Sequence, residues 1–186
     1  LWSSERGKGC PLVIAGGPVV FNPEPFAEFF DAFLIGDGEE VTLEFLDCVY
    51  KNREMARDEL LRELARIEGV YIPALYQVEY KDDGTIKKMS LLAKEAPAKV
   101  RRRVIEDLDQ AYYPDKPIVP YMDIVHDRAV LEVMRGCQRS CRFCHAGMVY
   151  RPVRERSADT LKKQAAAQLA STGYEEISLA SLSTLD

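Results

Sequence analysis

No apolar run in this chain approaches the ~18–20 residues that a membrane-spanning helix needs, and no signal peptide is visible. Positive charge is not in excess either. The formal net charge of -5 gives no reason to expect a general nucleic-acid surface. Histidine is scarce, with His126 and His145 only, and His126 reads as a loop residue. Internal repeats and low-complexity segments are absent. Cysteine is sparse outside one place: Cys10 and Cys48 stand alone and read as small core residues, while Cys137, Cys141 and Cys144 crowd together. Three such close cysteines cannot form a disulfide framework, and their spacing suits metal-bound thiolates in a reducing cytosol. The expected location is therefore cytoplasmic, with no membrane partner.

What is present, at 47% hydrophobic and 30% charged residues, is enough for a sizeable soluble core in one or two small domains. Pro11–Ala15 is an apolar run closed by Gly16-Gly17-Pro18 and reads as a buried strand. A short helix is expected over Pro23–Phe30, with Phe26, Phe29 and Phe30 as core. Ala32–Ile35 reads as a second strand, closed by Gly36-Asp-Gly-Glu-Glu40. A helix then runs through Asn52, with Val41, Phe45, Leu46 and Val49 on one stripe, and Glu39 and Glu40 in its first turn. Another spans about Glu54–Glu68 and stops at Gly69. Strand and helix alternating at this spacing predict a parallel α/β unit. On the residues alone, Gly16, Gly17, Gly36 and Gly38 are turn glycines of such a unit.

From Val70 a different region is expected. Leu75–Tyr80 and Thr85–Leu91 flank Lys81-Asp-Asp-Gly84, a hairpin signal. Lys99–Leu108 reads as extended. Residues 109–128, with Pro114, Pro117 and Pro120, read as a surface linker anchored by Tyr112-Tyr113. Ala129–Met134 is a strand leading into the cysteine loop. Ser157 caps a helix to Thr172 with an inner stripe of Leu161, Ala165 and Leu169, and Glu176–Ala180 is the next strand. Three segments result: 1–69 as α/β, 70–128 as hairpin and linker, 129–186 as strand, helix and strand. Ser181, Ser183 and Asp186 fall at the strand edge where parallel barrels place their sites.

The cysteines lie in Cys137-Gln-Arg-Ser-Cys141-Arg-Phe-Cys144. Thiolates bind soft metal, and a four-iron cluster normally takes four of them; three leave one iron open for a small molecule. The other reading is a structural zinc site on Cys137, Cys141, Cys144 and His145, within an interaction module. Zinc sites usually pair two ligand motifs across a longer spacer, and no second pair exists here. Arginines from Arg135 to Arg156 could face an anionic ligand.

This C-x3-C-x-aromatic-C pattern resembles the radical S-adenosylmethionine superfamily. The resemblance implies a [4Fe-4S] cluster on Cys137, Cys141 and Cys144, with Phe143 near the adenine of S-adenosylmethionine. It implies reductive cleavage of that cofactor and hydrogen abstraction from a substrate it does not specify. His145 is either a pocket residue or simply the next residue of the loop. An electron donor such as a flavodoxin or ferredoxin is implied as partner. Ile14–Pro18 and Leu34–Glu40 resemble the end of the cobalamin-binding-type domain that precedes many such enzymes, with Asp37 where Glu is usual. That implies cofactor-binding roles for Gly16, Gly17, Gly36 and Gly38, and admits cobalamin as a further cofactor, although the Asp-x-His-x-x-Gly motif is absent. The fold class expected is α/β: the end of a Rossmann-like domain, a small β-rich insert, and the start of a partial TIM barrel. A full barrel takes about 250 residues. The chain is thus expected to be a piece of a longer protein, inactive by itself and able to self-associate through its last strand.

Overall fold

β1 (Ile14–Gly16) and β2 (Ala32–Leu34) pair in parallel, with Ile14 opposite Ala32 and Gly16 opposite Leu34. The computed structural model describes residues 2–122 and 124–183, so Asp186 lies outside them. The chain gathers into two compact units, Leu1–Val104 and Ile105–Asp186. The architecture is mixed α/β, and the described residues form one three-stranded sheet and three two-stranded ones.

In the first unit α1 (Gly38–Lys51) and α2 (Arg57–Leu64) follow β2, and β3 (Val70–Tyr71) returns antiparallel to it. The unit is therefore not purely parallel, and Val70 completes the first sheet instead of opening a new region. Helix α2 ends earlier than its apolar stripe suggested. Its last buried leucine, Leu64, is followed by a turn in which Ile67 N–H donates to the Leu64 carbonyl. Gly69, with φ of +92°, accepts from Ile35 N–H at 2.7 Å and so serves the sheet, not the helix cap. Glu39 and Glu40 do stand in the first turn of α1, where the helix dipole favours them.

The core lies between this sheet and the two helices. Phe33, Val41, Phe45, Leu64, Val70 and Ile72 are sealed from solvent. Leu46, expected on the same stripe, is 54% exposed; Cys48 and Val49 pack beside Phe45 in its place. The Pro23–Phe30 helix is only a 3-10 turn at Glu24–Phe26. With so short a turn the three phenylalanines cannot share a face. Phe30 packs on the core, whereas Phe26 and Phe29 are about half exposed and Phe29 stacks on Trp2 at 4.8 Å.

A buried carboxylate ties the unit's N-terminal segment down. Asp31 accepts from Arg6 Nε at 3.0 Å, from Val13 N–H at 2.8 Å and from Arg57 at 2.9 Å. Two cations and a backbone donor satisfy both oxygens, as a buried charge requires. The hairpin forms as expected: β4 (Tyr76–Tyr80) pairs antiparallel with β5 (Ile86–Leu91) across a turn closed by Lys81 and Thr85, with Gly84 at φ +78°. The extended segment after it makes one parallel bridge, Arg103 to Gly36.

In the second unit the strand expected over Ala129–Met134 is split. β6 (Ala129–Glu132) pairs in parallel with β9 (Ile177–Ala180), while β7 (Met134–Arg135) turns to pair antiparallel with β8 (Arg154–Glu155). α3 (Ala146–Val149) and α4 (Ala158–Thr172) complete it. Ser157 Oγ accepts from Thr160 N–H at 3.2 Å, and Gly173 ends α4 in the left-handed region, so both helix signals hold. Leu161, Ala165 and Leu169 are only half-buried, and Gln164 and Gln168 between them are the sealed residues of α4. The proline-rich segment docks there: Gln168 donates to the Pro114 carbonyl at 3.3 Å and Ser171 to that of Asp115 at 3.0 Å. Tyr113 anchors it by donating to the Val130 carbonyl, while Tyr112 stays exposed. No helix among the described residues is long and apolar enough to cross a membrane.

Candidate functional site

The cysteine loop leaves β7 at Gly136 and re-enters helical structure at α3. Gly136 has φ of +94°, and a Cβ there would stand 2.5 Å from the Pro152 carbonyl oxygen and 2.8 Å from that of Tyr150. The start of the loop and the segment returning from α3 are thus in backbone contact, which only glycine permits. Arg151 strengthens the same closure. Its Nε donates to the Cys137 carbonyl at 3.3 Å and its terminal nitrogen to Ser140 Oγ at 2.5 Å. Ser140 itself adopts φ of +57°, reversing the chain between Cys137 and Cys141. Cys144 N–H then donates to the Cys141 carbonyl at 3.0 Å.

The three thiols see different surroundings. Cys137 is buried, Cys144 half-buried and Cys141 exposed. Backbone N–H groups already point at two of them: Arg139 N–H donates to Cys137 Sγ and Gly147 N–H to Cys144 Sγ, each at 3.4 Å. Such donors stabilise a sulfur carrying negative charge, as a metal-bound thiolate does. Among the described residues no group of three or more His, Cys, Asp or Glu side chains is drawn together as a metal-holding set. That applies to the three cysteines and equally to Cys137, Cys141, Cys144 and His145 as a zinc quartet. His145 is exposed at the start of α3, and its carbonyl accepts the α3 amides. Phe143 is 92% exposed. By chemistry the donor set suits an iron-sulfur cluster. It offers three sulfurs from one loop, and from Arg135 to Arg151 the sequence has four arginines and no acid.

Not all of the arginines face outward. Arg156, 5% exposed, donates to the Leu108 carbonyl, lies 3.5 Å from Glu132 and stands over the Tyr113 ring at 5.2 Å. Arg154 donates to the carbonyls of Ile105 at 2.8 Å, Pro152 at 3.1 Å and Tyr150 at 3.2 Å. Glu132 accepts from Arg135 Nε and from its Nη2, each at 2.9 Å. The expected anion-facing cluster therefore divides. Arg154 and Arg156 are buried staples that satisfy loop carbonyls, and Arg139 and Arg142 are the exposed members. The alternation Arg154-Glu155-Arg156 around β8 carries this in sequence, because a period of two sends both arginines to one face. Asp109 joins the staple by accepting from Ser157 N–H at 2.9 Å, and the hydrogen bonds from Ser157 hold its carboxyl below the usual carboxylate range.

The four glycines of the first unit are not alike. Gly36 has φ of +115°, and a Cβ there would lie 2.1 Å from the Arg103 carbonyl oxygen. The approach that excludes a side chain at Gly36 is made by the chain's own backbone. Gly17 has φ of +94° with open space where a Cβ would go. Gly16 ends β1 and Gly38 begins α1.

Comparison with known proteins bears on both units. Residues 1–73 match the family model of radical SAM proteins, N-terminal, so the region expected to be cobalamin-binding-like is matched as a radical SAM N-terminal region. An uncharacterised protein of Methanocaldococcus jannaschii is 33% identical over 153 residues, which is 81% of this chain and 27% of that protein. The chain thus spans about a quarter of that relative's length. No solved structure matches. This N-terminal match and the C-x3-C-x2-C loop, present in one chain, together support membership of the radical SAM superfamily.

Proposed function

We propose that the protein of which this chain forms part is an iron-sulfur enzyme that reductively cleaves S-adenosylmethionine to begin radical chemistry on a substrate. The observation that carries the proposal is the cysteine loop: three thiols at C-x3-C-x2-C spacing, two of them receiving backbone N–H groups. Cys137, Cys141 and Cys144 would hold a [4Fe-4S] cluster. When bound, such a cluster supplies one-electron reduction and one iron position open to the amino and carboxylate groups of S-adenosylmethionine.

The chain's own residues have definite tasks in this reading. The thiols must lose their protons to ligate, and the amides of Arg139 and Gly147 are directed at two of the sulfurs that would then carry charge. Arg139 and Arg142 offset the negative charge of cluster and carboxylate. Phe143 presents an exposed aromatic face on which an adenine can stack. Arg151, Arg154 and Gly136 hold the two ends of the loop together, so the sulfurs are carried on a short closed segment. The parallel β6–α4–β9 crossover is the unit from which a partial TIM barrel is built, and it supports that finer fold assignment. The parallel β1–β2 pair followed by α1 supports a Rossmann-like origin for the first unit. The reading admits cobalamin as a further cofactor, with the close approach at Gly36 itself made by Arg103 of the same chain. A flavodoxin- or ferredoxin-type donor and a reducing cytoplasm complete the proposal.

Anaerobic reconstitution of the chain with iron and sulfide tests it. The expected product absorbs broadly near the visible region. After reduction its electron resonance changes when S-adenosylmethionine is added. Cys141→Ala should lose the iron, while Cys48→Ala should keep it. Stoichiometric zinc uptake with no cluster formed would instead establish the interaction-module reading.

A further inference from the structure

A cleft of about 470 Å³ opens on the first unit between the Glu24–Phe26 turn and the strand β4. No arginine, lysine or histidine is among its lining residues; its charged members are Glu24 and Glu28. Tyr80, 53% exposed, supplies the open aromatic wall; Tyr71 and Tyr76 also line the cleft but are buried, and Pro73 lies beside them. The Tyr71 hydroxyl donates to Glu24 Oε1, and the Tyr80 hydroxyl donates to Glu24 Oε2 at 3.3 Å. Both carboxylate oxygens are thereby oriented before any ligand arrives. Tyr76 spends its hydroxyl on the Pro97 carbonyl at 2.7 Å, so it brings a ring and not a donor. Its ring and that of Tyr71 stand 4.8 Å apart at 48°.

Two carboxylates beside tilted electron-rich rings select against an anion, which would meet uncompensated negative charge. A neutral apolar ligand fares little better, since it would strip water from Glu24 and Glu28 without replacing it. A cation with an apolar shell satisfies both surfaces: the carboxylates by charge and the Tyr80 ring by its quadrupole. The volume lies within the roughly 300–1,000 Å³ of small-molecule sites. We infer that this cleft binds a small organic ammonium ion, held by Glu24 and Glu28 against the exposed ring of Tyr80. Burial and the Glu24 hydrogen bond keep the Tyr71 phenol protonated well above its ordinary range, so it remains a donor at any working pH. The cysteine loop supplies none of these residues.

Titration of the full chain with choline and with n-butylammonium, followed by calorimetry and tyrosine ring resonances, tests the site. The uncharged isostere 3,3-dimethyl-1-butanol is the control. At least one cation should bind saturably, and the isostere roughly tenfold or more weakly. Glu28→Gln, an exposed change that leaves the Tyr71–Glu24 bond intact, should weaken the cation about fivefold or more and leave the isostere unaffected. The double change with Glu24→Gln should abolish cation binding. Equal binding of cation and isostere, an unaltered double variant, or no saturation by either cation up to about 50 mM would each overturn the assignment.

Discussion

The two units of this chain are held together by different means. In the first, the largest sealed side chains are hydrocarbon and aromatic: Phe33, Leu64, Ile72, Val41 and Val70. Among the described residues of the second, only Leu108 reaches that degree of burial, and Arg154, Arg156, Gln164 and Gln168 are buried as well. The first unit is thus stabilised mainly by apolar area removed from water. In the second, Arg154, Arg156 and Gln168 donate to the carbonyls of Ile105, Leu108 and Pro114, while Gln164 Oε1 and Gln168 Oε1 are buried without a hydrogen-bond partner among the described residues. A hydrophobic core is insensitive to which ligand is present. A polar one is satisfied only in defined arrangements.

The comparison breaks most clearly if a core truncation in the first unit proves mild. Phe33→Ala should cost about 3–5 kcal/mol, read by chemical denaturation, because the sealed ring leaves a cavity in a sheet of three short strands. A loss under about 1 kcal/mol would mean that apolar packing is not what holds this unit.

Arg156→Ala tests the second unit in its own terms. It leaves the Leu108 carbonyl and Glu132 short of a buried donor, at roughly 1–3 kcal/mol, while Arg156→Met, which keeps the bulk, should recover little of it. Substantial recovery by Met would make the second unit another packing case.

The glycines sharpen the contrast further. Gly36→Ala and Gly136→Ala each force a left-handed backbone and a clash with main chain, worth roughly 1–3 kcal/mol apiece. The readouts should differ. Gly36→Ala should lower the denaturation midpoint of the first unit. Gly136→Ala should lower iron retention after reconstitution, with the first unit's midpoint unchanged.

The smallest effect is in pH. The Asp109 carboxyl, lowered by its hydrogen bonds from Ser157, contributes stability that is present above its unfolded value near 3.8 and lost as pH falls through the folded one. Asp109→Asn should flatten the acid limb of the second unit. The Tyr71 phenol, raised by burial and by Glu24, contributes stability that is complete below its unfolded value of 10.0 and is lost as pH rises beyond it. Tyr71→Phe should flatten the alkaline limb of the first unit. Melting curves at both extremes of pH check each limb.

Much of this arrangement could be read from short stretches of sequence. Lys81-Asp-Asp-Gly84 announces its hairpin because Gly84 needs a positive φ two residues before β5. Ser157 and Gly173 mark α4 because unsatisfied helix ends are met by neighbours in sequence. The thiol spacing of the candidate site is legible for the same reason: its three cysteines come from eight consecutive residues. Less legible were features that depend on partners far along the chain. Arg156 finds Leu108 across 48 residues and Tyr71 finds Glu24 across 47, so neither the arginine staple nor the tyrosine cleft leaves a local mark. Apolar stripes located α1 and α4 but misjudged which side faces inward at Leu46 and Gln164, since a helix's buried side is set by what packs on it.

By itself, then, the sequence determined the mixed α/β class, the hairpin, the ends of α4 and the three-thiol loop. Each follows from backbone sterics or ligand chemistry acting over a few residues. Tertiary structure alone decided that β3 closes the first sheet antiparallel, that β6 and β7 part at Val133, and that Arg154 and Arg156 turn inward. Those outcomes depend on which distant carbonyl or strand edge can be reached without leaving a buried polar group unpaired, and that is a property of the folded chain.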